Sequence, residues 1–581
     1  MAFPRTPDLS EVQATHSCNP FKFIIIGSGM GGGMLARQLI NNGQRVLLIE
    51  KGGLEYSTHV LNTSRPHFDH TSVDPSIPAR DNEVVFQMNR KPYSIAAGST
   101  TEFGGGAINA LGGRSLMWSL ETPEIDLSKG SLGKRLFPAS IVKYLKEQGY
   151  ARALRVMANS PPSDVKYPQE QSDISTTCKD AVDGARKRLQ CALDRYNENS
   201  GYRNPADLGR VTNGAGFAPK DKLYYFPQGA YSTVDYLLDR LHSKDENLTV
   251  LASHEVVSLR QAGNSVNAIV LRGSDRSTGL SILDTLEANV ILCAGTIDTA
   301  AIALRSCLSN DSSLIGTGLT DHEIWSTRFW NSDWKPTLSS QENHLPSQEN
   351  RLPSQENPPP PQENHLSSQE NHLSSQENPP PSQENHLPVE LTAEINVHKH
   401  KALLTVCTQA ESFYKHDFAT GAKESPEKTG NTLNVMLEFE TLLSDSSAVE
   451  LDVLTSEPVI KLQQKPLEPL DTLPEFKSRL VNLASNLHQS FDFEGPYTGP
   501  DMVKGKFGFV AHEVGTMRMG DKPKKSVVDE NLRVHGMKDL YVCDLSVFPF
   551  SPRANPALTL TALAMRLGDF LDRKAREAAV C

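Results

Sequence analysis

Residues 23–32 read Phe-Ile-Ile-Ile-Gly-Ser-Gly-Met-Gly-Gly, and a second apolar run, Val46-Leu-Leu-Ile, ends at Glu50. An unbroken apolar run stopped by glycine predicts a buried strand over Phe23–Ile26. The periodicity that follows predicts a helix from Met30 to Asn42, and Val46 to Ile49 a second strand, together a βαβ unit. Gly27, Gly29 and Gly32 fit G-x-G-x-x-G at the strand-to-helix turn, and Glu50 lies 18 residues beyond Gly32. In that pattern the first glycine makes the tight turn, the second lets the backbone approach a pyrophosphate, and the third lets the helix pack closely. The helix N-terminus attracts the phosphate charge. Glu50 is then placed to accept hydrogen bonds from an adenosine ribose, which disfavours a 2′-phosphate. The motif predicts a dinucleotide, FAD or NAD, and does not separate the two.

The chain around this unit has 581 residues, 38% hydrophobic and 22% charged, with a formal charge of −11 and no block of basic residues. That composition predicts a globular protein of more than one domain and disfavours a nucleic-acid partner. No apolar run reaches the roughly 20 residues of a membrane span, and the first 20 residues are polar, so the expectation is a soluble cytoplasmic protein with no membrane partner. Eight scattered cysteines form no C-x-x-C pair, which predicts reduced thiols and neither a metal site nor a disulfide framework.

Two further textures follow along the chain. Gln-Glu-Asn recurs seven times at seven-residue intervals from 341 to 383, with ten prolines between 341 and 388. Each copy offers at most one Leu, so no coiled-coil seam forms, and residues 339–388 read as a disordered insertion in a surface loop. Alternation appears at Leu391, Ala393, Ile395 and Val397, at Leu433, Val435, Leu437 and Phe439, and at Val449, Leu451 and Val453. Period two predicts a sheet with one covered face, largely antiparallel. Behind Pro474, the stripe Phe476, Leu480, Leu483, Leu487 predicts a helix.

Chemistry-bearing segments stand at both ends. Gly104 to Trp118 is too glycine-rich for a regular element and suits close approach to a flat ligand. His512-Glu-Val-Gly515-Thr516-Met-Arg518-Met519-Gly520 precedes Asp544 and then Asn555-Pro556, which opens a helix. In this order the motifs resemble the glucose-methanol-choline (GMC) family of FAD-dependent oxidoreductases. Val290 to Asp298 is similar to the family's strand returning to the FAD, and Gly318 to His322 to the segment after it. Within the family, Gly-Gly-x-Ser-x-x-Trp at Gly112 to Trp118 and the His512 motif look most like the pyranose oxidase branch. That branch carries a histidine tethered covalently to the flavin where this chain has Met117.

The resemblance implies an α/β fold: a Rossmann-type FAD-binding domain from 21–130, 210–325 and 505–575, interleaved with an α+β substrate domain from 131–209 and 389–504. It implies a non-covalent FAD held by Gly27, Gly29, Gly32, Glu50, Gly112, Gly113, Ser115, Val256, Ala294, Asp544 and Asn555. It further implies oxidation of an alcohol of a small organic substrate, with a biosynthetic pathway as one setting and O2 or a quinone-like acceptor taking the electrons. His512 is the expected base, with hydride passing to flavin N5, because imidazole accepts a proton near neutral pH. Asn555 is expected to hold the substrate hydroxyl or alkoxide and also to cap the helix that Pro556 begins. His322, His535 and Glu513 are expected to be structural. Two alternatives stand beside this: a flavin-containing lyase or isomerase without net oxidation, and an interaction protein acting through the repeat.

Overall fold

The structure, a computed structural model, describes residues 4–60, 89–118, 121–157, 176–200, 230–273, 279–308, 313–331, 389–408, 431–468, 472–493, 497 and 502–580. The heptapeptide repeat lies outside the described residues. The apolar runs that open the chain form the middle of a five-stranded sheet. Its strand order is Leu540–Val542, Asn289–Leu292, Phe23–Ile26, Val46–Ile49, Leu248–Leu251, and every pairing is parallel. All four residues of Phe23–Ile26 and of Val46–Ile49 are buried, as expected of parallel strands covered on both faces. The helix Met30–Asn41 is the crossover between them. The C-terminal helix Ala557–Val580 lies against it, close enough that a Cβ on Gly568 would meet Gln38 Cγ at 2.5 Å.

The alternating segments build a second five-stranded sheet in the order Val389–Val397, His400–Thr408, Asn431–Phe439, Glu323–Asn331, Val503–Lys504, with every pairing antiparallel. Leu391, Ala393, Ile395 and Val397 share one apolar core with Leu433, Val435, Leu437 and Phe439. The helix Leu473–Ser490 covers that face with Phe476, Leu480, Leu483 and Leu487, and Pro474 sits in its first turn. Leu189, Leu193 and Tyr196 of the helix Thr176–Ser200 join the same core. Period two then fixes the other face: Met436 and Glu438 point away from this core, and both line a cavity between the two sheets.

Two segments depart from the expected organisation. The third alternating run does not extend the antiparallel sheet. Its strand stops at Leu451 and pairs with Pro458–Lys461, in a small sheet that also holds Ser94–Ile95. Val453 is 95% exposed, because Asp452 turns the chain there by accepting hydrogen bonds from the Leu454 and Thr455 amides. The helices between Ala139 and Met157, expected with the substrate domain, pack on the core of the parallel sheet. Tyr150 bonds Thr559, and Arg152 pairs with Asp569 of the C-terminal helix at 2.6 Å.

Phe439 and Phe476, with ring centroids 5.5 Å apart, fasten the second sheet to its helix. Replacing fully buried Phe439 by Ala removes that contact and leaves a cavity. The expected cost is about 3–5 kcal/mol, to be read from chemical denaturation.

Candidate functional site

Gly27 closes the first strand with φ +100°, and a Cβ there would lie 2.3 Å from the Cys293 carbonyl oxygen, so only glycine fits. Gly32 is equally tight against the Gly27 carbonyl, at 2.0 Å. A Cβ on Gly29, by contrast, would meet nothing within 4 Å. The turn is therefore crowded on its protein side and open at its middle glycine, which is the shape a pyrophosphate cradle requires.

Ser28, buried between these glycines, ties the turn to its surroundings. Its amide and hydroxyl both donate to Glu50 Oε2, and its hydroxyl accepts from the Gly112 amide at 2.8 Å. Glu50 Oε1 accepts from the Gly52 amide at 2.8 Å. Burial raises the Glu50 carboxyl above its ordinary range, and these donors work against that rise. Ser115 gives its hydroxyl hydrogen to the Gly112 carbonyl and meets Thr233, which in turn donates to the Ser28 carbonyl.

One cavity runs from this turn to the C-terminal motif. Gly27, Gly29, Glu50, Gly113, Ser115, Val256, Ala294, Asp544, His512 and Asn555 all line it, so the structure brings together nearly every residue singled out in the sequence. Gly32 and Gly112 do not line it. Gly32 permits the close approach of the helix to the turn, and Gly112, at φ +98°, turns its amide toward Ser28. Both pack the turn against its surroundings. Asp544 accepts from the Gly295 amide and the Thr299 hydroxyl and caps the short turn Leu545–Val547; burial raises its carboxyl. The open cradle, the buried acid at the second strand and the glycine wall at Gly113 fit a flavin dinucleotide.

At the other end of the cavity, backbone bonds between Thr320 and Val514 draw two distant segments together. They place His322 Nε2 2.9 Å from His512 Nδ1. The hydrogen positions follow from the partners. The Pro552 carbonyl, 2.9 Å from His322 Nδ1, only accepts, so that nitrogen carries the hydrogen. In the neutral ring His322 Nε2 is then the acceptor, and His512 Nδ1 donates to it. The remaining nitrogen of His512, Nε2, keeps its lone pair. Burial holds His322 down to about 4 and His512 well below the ordinary imidazole range, the latter helped by His322 and Arg114. Both rings are neutral at pH 7.

Glu438, beside both rings, is the residue the sequence reading missed. Glu438 Oε1 lies 3.3 Å from His322 Nε2 and 3.9 Å from His512 Nδ1. The available signal was an acid inside an apolar strand, between Leu437 and Phe439. His322 and Glu513, expected to be structural, have more defined tasks. His322 sets the His512 tautomer, and Glu513 is a buried partner of Arg114 at 2.6 Å. Arg114 also donates to the carbonyls of Gly106 and Ala511, holding the glycine segment against the loop that carries His512. Ala511 has φ +62°, a strained backbone for a non-glycine residue immediately before His512.

Asn555 departs from its expected capping role. Its Nδ2 donates to Glu121, while Pro556 supplies the carbonyl that takes the Leu560 amide, and the helix begins at Ala557. Asn555 Oδ1 is buried with no hydrogen-bond partner among the described residues. Glu121 takes one of the two Nδ2 hydrogens, so Asn555 retains a second N–H beside the acceptor Oδ1, a pair suited to a substrate hydroxyl or alkoxide.

Residues 485–564 match a GMC oxidoreductase family model. A 60-residue stretch is 43% identical to dehydrogenase str4 of Strobilurus tenacellus, covering 10% of each chain. A 67-residue stretch is 42% identical to paromamine 6′-oxidase of Streptomyces fradiae, covering 11% of this chain and 12% of that one. The matched stretches thus span about a tenth of these relatives' lengths. Among solved structures, pyridoxine 4-oxidase from Mesorbium loti is 16% identical with a TM-score of 0.53, over 95% of this chain and 99% of that one. A variant of Aspergillus oryzae formate oxidase is 15% identical with a TM-score of 0.61, over 96% and 99%. These likenesses establish the fold. Among the described residues no helix is long and apolar enough to cross a membrane.

The two glycines separate packing from ligand contact. Gly29→Ala is expected to fold with less than about 1 kcal/mol lost but to retain little flavin on purification. Gly32→Ala, which collides with backbone, loses stability as well. Thermal melts and the flavin-to-protein absorbance ratio check both outcomes.

Proposed function

Because this chain carries the C-terminal domain of the GMC oxidoreductases, whose cofactor is FAD, we propose that it oxidises an alcohol of a small organic substrate. The observation that carries this reading is the neutral His512, with one nitrogen bonded to His322 and the other holding a lone pair, in the cavity that ends at the dinucleotide turn.

Gly27, Gly29, Glu50, Gly113 and Asp544 would hold FAD, and when bound it supplies the acceptor for the two electrons of the alcohol C–H bond. The chain's own residues manage the proton. Asn555 Nδ2 gives its second hydrogen to the substrate hydroxyl oxygen and orients it, leaving the hydroxyl hydrogen for the base. His512 Nε2 takes that proton as the carbon is oxidised. His322 keeps His512 in the one tautomer able to do so, and Glu438, 3.9 Å from His512 Nδ1, offsets the imidazolium charge that results. Trp118, Met436 and Phe509 supply apolar wall and limit water. Names of relatives such as paromamine 6′-oxidase support a hydroxylated metabolite as substrate, with O2 or a quinone-like compound as the final acceptor. A discontinuous FAD domain and a substrate domain on the antiparallel sheet, in a cytoplasmic protein, complete the proposal.

Anaerobic addition of an alcohol panel to the flavin-loaded protein is expected to bleach its visible absorption with at least one member. His512→Ala should slow that reduction by about 10²–10⁴-fold. Full-rate bleaching by the variant sinks the assignment of the base. Because burial disfavours the imidazolium, the neutral form persists below pH 6.5. The acid limb of kcat/KM is therefore expected below that value and absent in His512→Ala.

Met117 offers the cavity a thioether, which forms no histidyl-type bond to a flavin. Acid precipitation is therefore expected to release all of the yellow colour into the supernatant. Colour that stays with the pellet contradicts the non-covalent assignment.

A further inference from the structure

We propose that His322, Glu438 and His512 also form a binding site for one divalent transition cation of the Zn2+ class. Their ligand atoms are His322 Nε2, Glu438 Oε1 and His512 Nδ1, all within 4.8 Å of one another. The three separations are 2.9, 3.3 and 3.9 Å. Tetrahedral Zn2+, with nitrogen and oxygen ligands near 2.0–2.1 Å, sets ligand-to-ligand edges of about 3.3 Å. The observed triangle straddles that value, so the ion needs shifts of only a few tenths of an ångström.

The donor set selects the metal. Two imidazoles and one carboxylate suit Zn2+ and its neighbours, whereas Mg2+ and Ca2+ take oxygen ligands. The outer shell is in place too: a ligating histidine nearly always donates its other ring N–H, and His322 gives its own to the Pro552 carbonyl. The ligands come from separate segments held by backbone pairing. Glu438 lies inside the antiparallel sheet, and the neighbours of His322 and His512, Thr320 and Val514, bond each other. The side chains of His322 and Glu438 are fully buried. Glu438 and His512 line the cavity, which supplies a route in and a fourth ligand, water or a hydroxyl.

Binding has a defined chemical consequence. To present a lone pair at Nδ1, His512 moves its hydrogen to Nε2 and remains neutral; no bond to carbon changes and no electron moves. The ring then has nothing left with which to accept an alcohol proton. The cation-bound protein is an inhibited one, and the ion competes with the tautomer that His322 otherwise enforces.

Binding is measured on the flavin-loaded protein without any substrate, so the result is independent of the proposed oxidation. Calorimetry with Zn2+ is expected to show one tight equivalent that is lost in His322→Asn and Glu438→Gln. Loss of one of three ligands should weaken binding by more than about 100-fold, beyond what outer-shell partners contribute. Co2+ is expected to give the intense visible bands of a tetrahedral complex. If the variants fail to fold, X-ray absorption of the Zn2+ complex of the unsubstituted protein decides. Two imidazoles and oxygen near 2.0–2.1 Å support the site, while a shell with fewer imidazoles or with sulfur overturns it. Variants that bind Zn2+ as tightly as the parent overturn it as well.

Discussion

Ser28 sits where four parts of the chain meet. Its hydroxyl gives a hydrogen to Glu50 at the end of the second strand and takes one from Gly112, while its carbonyl receives Thr233 at the start of the helix Thr233–His242. A buried carboxylate is costly unless donors surround it. Glu50 is retained because the glycine turn and Gly52 point amides at it. The arrangement holds the turn and the 112–118 segment in one orientation, so the open space beside Gly29 has a wall before any ligand arrives.

The catalytic end rests on a similar economy of partners. Asp321 accepts the Gly508 amide, and Thr320 and Val514 exchange backbone bonds, so the loop bearing His512 is registered against the segment bearing His322. The Pro552 carbonyl then determines the hydrogen of one ring, and through it the hydrogen of the other. A single acceptor outside the cavity thus sets which nitrogen of His512 keeps its lone pair. The same contacts draw Glu438 beside both rings, so the two imidazoles and one carboxylate form a single cluster.

Much of the architecture was legible. The runs at 23–26 and 46–49 pair as expected because four consecutive apolar residues admit no partially exposed strand. Leu433, Val435, Leu437 and Phe439 share a face because period two permits nothing else. The run 449–453 misled because three alternating residues do not show where a strand ends and the turn that Asp452 creates begins. The helices at 139–157, placed with the substrate domain by the family resemblance alone, pack on the other core, because the resemblance gave the order of the segments and not their packing partners. Asn555 before Pro556 looked like a helix cap, yet Glu121, 434 positions away, takes its amide.

The sequence by itself determined the dinucleotide turn, the alternation of the second sheet and the motif that carries His512, since each depends on neighbours within a few positions. Only the tertiary structure decided the tautomer of His512, the closeness of Glu438 and the contact with His322. Those depend on which segments pair across more than a hundred residues, and local periodicity carries no information about a hydrogen bond between side chains 190 positions apart.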